Sequence, residues 1–233
     1  MALNTEIIRR IIFDLDDTLF DTNGQLIEVA SVESFQAMIA EGLNANVNEC
    51  LIKRREFVAT HPRRDIYSQL TDHFGVKPSK DPQKVAKAGF NAFHCREIKE
   101  KIFLFDGVLP MLESFRKIYD LYLVTLGNPN TQKKKVELLN LSSIFSEIIY
   151  VDISVDKNKT KAFHQILDLD SKLPPECHLS IGNRIDSEIR DAKALGMQTV
   201  LLLHGEHVTL KPQNQNEVAD QSINKITDIL DLL

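Results

Sequence analysis

Two carboxylates stand two residues apart at Asp14 and Asp16, straight after the apolar run Ile11-Ile12-Phe13 and just ahead of Asp17-Thr18. In an extended chain, residues two apart share a face, so both acids point the same way. Crowded carboxylates repel. The arrangement is sensible where a divalent cation lies between them, or where one takes a proton and acts as an acid. Oxygen-only ligands suit Mg2+, and no His or Cys cluster competes for Zn2+. A carboxylate is also a nucleophile in aspartyl-phosphate chemistry. The plain alternative is an acidic turn capping a helix.

Three further places carry usable groups. Thr125 ends a second apolar run and precedes Leu126-Gly127-Asn128. Its hydroxyl and the backbone N–H groups of Leu126 and Gly127 can hold phosphoryl oxygens, although Thr is also an ordinary strand residue. The segment Asp156-Lys157-Asn158-Lys159-Thr160-Lys161 offers three lysines before a helix, with Thr160 as a plausible N-cap. Asp186 and Glu188 follow Gly182-Asn183, and both also suit the positive end of a helix.

These groups need elements to bring them together. Ile7 to Phe13, Leu121 to Thr125, Ile148 to Val151, His178 to Ile181 and Thr199 to Leu203 read as buried strands, rich in β-branched residues and without alternation. Helical stripes separate them: Leu112 to Tyr119, Thr131 to Leu139, Ala162 to Leu169, and Ile185 to Leu195 ending at Gly196. A last helix is expected through Ile223, Ile226, Ile229 and Leu230. Alternating strands and helices mean a parallel α/β sheet, whose ligands bind at the carboxyl ends of the strands. Asp14, Asp16, Thr125, Asn128, Asn183 and Asp186 all fall at such ends.

Residues 22–104 break the alternation and read as four amphipathic helices: Leu26 to Ile39, Val47 to Val58, Ile66 to Phe74 and Val85 to Ile98. The expected organisation is a core of 1–21 and 105–233 with a helical cap, 22–104, inserted. Within the cap, His61-Pro62-Arg63-Arg64-Asp65 is a compact basic loop. Lys133-Lys134-Lys135 reads as a wet helix face, and His204 and His207 receive no role.

At 233 residues, 43% hydrophobic and 26% charged, the chain suits a folded domain with an insertion and excludes a disordered or collagen-like one. No apolar run approaches membrane-spanning length, and no signal peptide is read. The net charge of −5 weighs against nucleic acid or an anionic membrane as partner. Cys50, Cys95 and Cys177, with no CxxC spacing, read as reduced, buried thiols of a cytoplasmic protein.

With FDLDDT at Phe13 to Thr18, LVTLGN at Leu123 to Asn128 and IGNRIDSEIRDAKALGMQTV at Ile181 to Val200, the chain resembles the haloacid dehalogenase-like hydrolase superfamily, in its subfamily with a helical cap after the first motif. The resemblance implies a Rossmann-like core and a Mg2+-dependent phosphatase acting on a small phosphorylated metabolite. Asp14 would be the nucleophile and Asp16 the general acid, then base. Thr125, with Leu126, Gly127 and Asn128, would hold the phosphoryl group. A lysine would neutralise charge. Lys157, six residues before Phe163, is favoured over Lys159. The metal would be held by Asp14, the Asp16 carbonyl and the last motif. There Asn183 stands where most relatives have Asp, Glu188 falls at the second acid, and Asp186 is an extra acid. The intact Asp16 favours a phosphatase over a haloacid dehalogenase. A phosphomutase, or a binding homologue weakened at Asn183, is the alternative. The resemblance leaves monomer and small homo-oligomer equally open.

Overall fold

The computed structural model describes residues 3–61 and 64–233. After a 3-10 turn at Thr5–Ile7, strand β1 spans Arg10–Phe13. Helices α1 Glu28–Glu41, α2 Val47–Thr60, α3 Ile66–Phe74 and α4 Pro82–His94 follow. Then come α5 Val108–Phe115, β2 Asp120–Gly127, α6 Pro129–Leu138, β3 Glu147–Asp152, α7 Thr160–Asp168 and β4 His178–Gly182. A π-type turn at Ile185–Ile189 leads into α8 Arg190–Ala194, and β5 Gln198–Leu202 and β6 Gln221–Ile223 complete the sheet. Among the described residues, no helix is long and apolar enough to cross a membrane.

The chain divides into two compact units. One comprises residues 1–22 and 101–233, the other residues 23–100. The first is a six-stranded parallel sheet in the order β3-β2-β1-β4-β5-β6. In such an order the chain reverses its direction of winding beside β1, and the crevice at the carboxyl ends of β1 and β4 is the expected ligand site. Every residue of β1 and of β4 is buried, including the polar Arg10, His178 and Ser180, as in a strand covered on both faces. On one face, Ile12, Tyr122, Val124 and Val151 pack with Phe163 and Ile166 of α7 and Ala192 of α8.

The second unit contains α1 to α4 and has its own core of Phe35, Met38, Leu43, Cys50, Tyr67, Leu70 and Val85. Its boundaries are local chemistry. Asn46 and Glu49 form a capping box on α2, Asp65 caps α3, and Asp81 with Pro82 starts α4. Of the basic loop, Pro62 and Arg63 lie outside the described residues, while His61 and Arg64 are exposed.

Three expectations need correction. The C-terminal run is not one helix: Gln221–Ile223 pairs with Val200–Leu202, and Ile226–Asp231 is a 3-10 turn that uses the three-residue spacing of Ile226 and Ile229. The first strand starts at Arg10, since both its neighbours, at Asp120 and His178, start there. Cys95 is exposed, while Cys50 and Cys177 are buried.

Candidate active site

Asp14 stands one residue past β1, and its N–H still donates to Ile181 O at 2.9 Å, which fixes the first acid against β4. The chain then turns sharply. Asp17 has φ 53°, a left-handed conformation that Asp tolerates, and its N–H donates to Thr22 Oγ1 at 3.2 Å. Thr18 Oγ1 donates to Asp14 Oδ2 at 3.2 Å.

Lys159 reaches the centre of this site. Its Nζ lies 2.5 Å from Asp14 Oδ1 and 2.7 Å from Glu188 Oε1, and its side chain is only 1% exposed. Its position comes from the backbone. Lys159 is the N-cap of α7, and its N–H donates to the buried Asp191 carboxylate at 2.7 Å, which aims the side chain inward. Thr160, read as the cap, is instead the first helical residue. Lys157, the lysine favoured from its spacing, is exposed on a shallow polar surface beside Asn158 and Arg190. Counting back from Phe163 points to Lys157, but the residue whose N–H the Asp191 carboxylate holds, and whose side chain is buried, is Lys159 at the N-cap.

Glu188 is folded against the end of β4. A Cβ on Gly182 would stand 2.4 Å from Glu188 Cγ, so only glycine leaves that cradle open. The second Glu188 oxygen accepts from Arg184 N–H at 3.1 Å. Asn183 is buried, and its Nδ2 donates to His204 O at 3.2 Å, which leaves its amide oxygen as the end able to face a cation. Asp186 is engaged through both oxygens by the Arg184 guanidinium, at 3.0 and 3.1 Å. The side chains of Asp14, Glu188 and Asn183 and the Asp16 carbonyl offer oxygen donors, the type that Mg2+ takes. Among the described residues, a different grouping, Asp17, Asp21 and His204, brings three donor atoms within 4.8 Å of one another. His204 Nε2 lies 3.3 Å from Asp21 Oδ1, and the ring packs edge-on against Phe105.

Asp16 is held from the other side, by residues the sequence reading missed. Lys135 Nζ lies 2.6 Å from Asp16 Oδ1 and Gln132 Nε2 donates to Asp16 Oδ2 at 2.7 Å. Thr22 Oγ1 donates to Asp16 Oδ1 at 2.7 Å. Gln132 also donates to Thr125 Oγ1, deep in the core. Of the three lysines taken as a wet face, Lys133 and Lys134 are exposed and Lys135 is buried. The signal in the sequence is only that Gln132 and Lys135 are one helical turn apart in the helix after a strand end, a spacing that a solvated face shows equally. Leu126 and Gly127 continue the ladder with Val151 and Asp152, and Asn128 caps α6 by accepting from Asn130 and Thr131 N–H.

The charges follow from these contacts. Burial raises Asp14 to about 7, with Glu188 and Asp16 adding to the rise and Lys159 opposing it. Burial also acts to raise Glu188, but the Lys159 ammonium outweighs it and holds the carboxyl below its usual range. Burial would lower Lys159, yet Asp14 and Glu188 more than offset it and keep the ammonium charged. At Asp16 burial is again outweighed, by Lys135 and by hydrogen bonds from Lys135, Gln132 and Thr22, and the group is lowered.

A buried carboxylate, a lysine ammonium held against it and a second carboxylate lie together at the winding reversal of a parallel sheet with a Rossmann-like core. A model of the haloacid dehalogenase-like hydrolases matches residues 8–210, and the chain belongs to that family. It is 29% identical to a glyceraldehyde 3-phosphate phosphatase of Methanopyrus kandleri, over 97% of each chain. It is 24% identical to the N-acylneuraminate-9-phosphatase of Mus musculus, over 84% of this chain and 83% of that one. Among solved structures, the magnesium-bound HAD-hydrolase YfnB of Bacillus subtilis superposes with a TM-score of 0.67 at 18% identity, covering 97% of this chain and 98% of that one.

Proposed function

We propose that the chain is a Mg2+-dependent phosphatase that hydrolyses a small phosphorylated metabolite through an aspartyl-phosphate. The observation that carries this reading is Lys159 held between Asp14 and Glu188 at the end of β1. A buried carboxylate with a charge-neutralising ammonium against one oxygen suits attack on a dianionic phosphate, since phosphoryl transfer needs positioning and charge neutralisation above all.

In this reading an Asp14 oxygen attacks phosphorus and the bond to the leaving oxygen breaks. Asp16, ionised at rest, takes up a proton as the substrate binds and gives it to that oxygen. Asp16 then takes a proton from water, which attacks the same phosphorus, and inorganic phosphate and the free Asp14 carboxylate result. Thr125 and the backbone at Leu126 and Gly127 hold phosphoryl oxygens. Asp14, the Asp16 carbonyl, Asn183 and Glu188 would hold Mg2+, whose chemistry is to offset negative charge on the nucleophile and the phosphoryl group. Asp186 serves Arg184 instead. Residues 23–100, inserted directly after the nucleophile loop, act as a cap and choose the leaving group. The relatives' names place glyceraldehyde 3-phosphate and other small sugar phosphates first among substrates to try.

The test is hydrolysis of p-nitrophenyl phosphate and a panel of sugar phosphates by purified protein with Mg2+, with EDTA, and by the Asp14→Asn variant. Turnover that needs Mg2+ and is lost with Asp14→Asn supports the reading. Turnover that survives EDTA or Asp14→Asn overturns it.

A further inference from the structure

We propose that Lys135 and Gln132 are positioning residues for Asp16, forming a clamp on α6 that sets the geometry of proton donation to the leaving group. The inference rests on the reading of Asp16 as the general acid. It adds two residues to the mechanism, both from a part of the chain that looks like a solvated helix face.

The geometry is specific. Each Asp16 oxygen has its own donor from α6, Lys135 Nζ to Oδ1 at 2.6 Å and Gln132 Nε2 to Oδ2 at 2.7 Å. The two donors are three residues apart, so they project from the same side of the helix. Two separate contacts fix the plane of a carboxylate, whereas one would let it rotate. Thr22 Oγ1 adds a third contact, to Oδ1 at 2.7 Å.

Two observations argue that the clamp is built rather than incidental. Lys135 is only 8% exposed and lies over the Phe20 ring, 5.9 Å from its centroid, while Lys133 and Lys134 beside it are exposed. Moreover, Gly127 makes room for Gln132: a Cβ there would stand 2.9 Å from Gln132 Cδ. Gln132 also donates to Thr125 Oγ1, so one amide ties the acid to the hydroxyl that would face the phosphoryl group. The clamp therefore couples where the proton donor sits to where the phosphate sits. Misplacing a general acid by a fraction of an ångström forfeits its contribution, which is about 10² to 10⁴-fold in rate.

The balance of the step makes the test sharp. When the phosphorus–oxygen bond breaks, an alkyl leaving group must receive a proton, and it comes from Asp16 after that carboxylate has taken one up from solvent with the substrate bound. Nitrophenolate leaves without one. The experiment measures kcat/KM, which reports phosphoryl transfer to Asp14, on p-nitrophenyl phosphate and on a simple alkyl phosphate with Mg2+ present. Wild type, Lys135→Met, Lys135→Arg, Gln132→Leu and Asp16→Asn are compared, with folding checked by circular dichroism and urea midpoint. The expectation for Lys135→Met and Gln132→Leu is a loss of about 100-fold on the alkyl phosphate and less than about five-fold on the aryl one. Lys135→Arg should recover most of the alkyl activity. Equal losses on both substrates, or a rise in KM with kcat unchanged, would overturn the clamp. Asp16→Asn separates the two hypotheses. If it is selective for the alkyl phosphate and Lys135→Met is not, the clamp fails and the acid stands. If Asp16→Asn is itself unselective, the general-acid reading fails first. Should Lys135→Met not fold, Gln132→Leu decides alone.

Discussion

Replacing Lys159 by Met tests the centre of the site most directly. The ammonium contacts two buried carboxylates, at 2.5 and 2.7 Å, with its side chain 1% exposed. Unit charges about 4 Å apart interact by about 4 kcal/mol at an effective dielectric of about 20, so the two pairs together are worth about 8 kcal/mol before desolvation. Returning the lysine to water recovers part of that, and breaking a buried pair typically costs about 3 to 5 kcal/mol. The two acids left behind cannot both stay ionised. Asp14, already raised to about 7, rises further and takes a proton. A protonated Asp14 is no nucleophile, so kcat at neutral pH should fall by at least about 10²-fold, the usual loss for one preorganised donor. The sign of the pH effect follows. A raised acid ionises only as pH increases, so Lys159→Met should gain activity between pH 7 and 9 faster than wild type. Its urea midpoint should fall, and Mg2+ should narrow that deficit, since a bound cation replaces the lost charge. Exposed Lys157 gives the control: Lys157→Met should change stability by less than about 0.5 kcal/mol. Steady-state kinetics on p-nitrophenyl phosphate across pH, with urea melts with and without Mg2+, measure all of this. Lys159→Met with kcat within five-fold of wild type, or Lys157→Met as the more damaged variant, refutes the reasoning.

Asn183→Asp should lower the Mg2+ concentration for half-maximal activity, because it adds a charge to the donor set. It also forfeits the donation to His204 O and should cost about 1 to 2 kcal/mol without metal; a metal titration with an unchanged midpoint removes Asn183 from the cation's shell. Gly182→Ala should push Glu188 off Lys159, since the new Cβ meets Glu188 Cγ at 2.4 Å. A loss of about 1 to 3 kcal/mol by urea unfolding, with reduced kcat, is expected, and a neutral effect refutes the cradle. His207 is lowered to about 4 by burial and by Arg184, and its buried Nδ1 has no hydrogen-bond partner among the described residues. The neutral ring is therefore favoured in the fold, and the stability it supplies is complete above the ordinary value of about 6.5 and lost as pH falls toward 4. His207→Leu should flatten the urea midpoint across that window, by up to about 3 kcal/mol; equal slopes in the two proteins would exclude it.

Strands β1 to β5 were legible from short clusters of apolar residues such as Ile11-Ile12-Phe13 and Leu121 to Val124, and the acids at Asp14 and Asp16 stand out against them. The four helices of residues 23–100 were legible from their apolar stripes, and three of them start at a cap, Asn46 with Glu49, Asp65, and Asp81 with Pro82. The choice between Lys157 and Lys159 was not legible. It depends on Asp191, 32 positions further on, accepting from the Lys159 N–H. Nor was Lys135, whose burial depends on Asp16 and Phe20 rather than on its own neighbours. The C-terminal run was misread because apolar spacing alone does not reveal that β5 has a free edge for Gln221–Ile223 to join.

The central strand has a consequence for how the protein is made. Arg10 pairs with Asp120 on one side and His178 on the other, so β1, made before either of its neighbours, waits for both. Pairing across such separations is slow, whereas the helical segment 23–100 closes mostly local contacts and can form first. A nascent chain stopped before β4 would carry Asp14, Asp16, Lys135 and Lys159 but lack Glu188 and the strand that fixes Asp14. The order of synthesis thus keeps Asp14 without its full setting until β4 and the turn that carries Glu188 have been made.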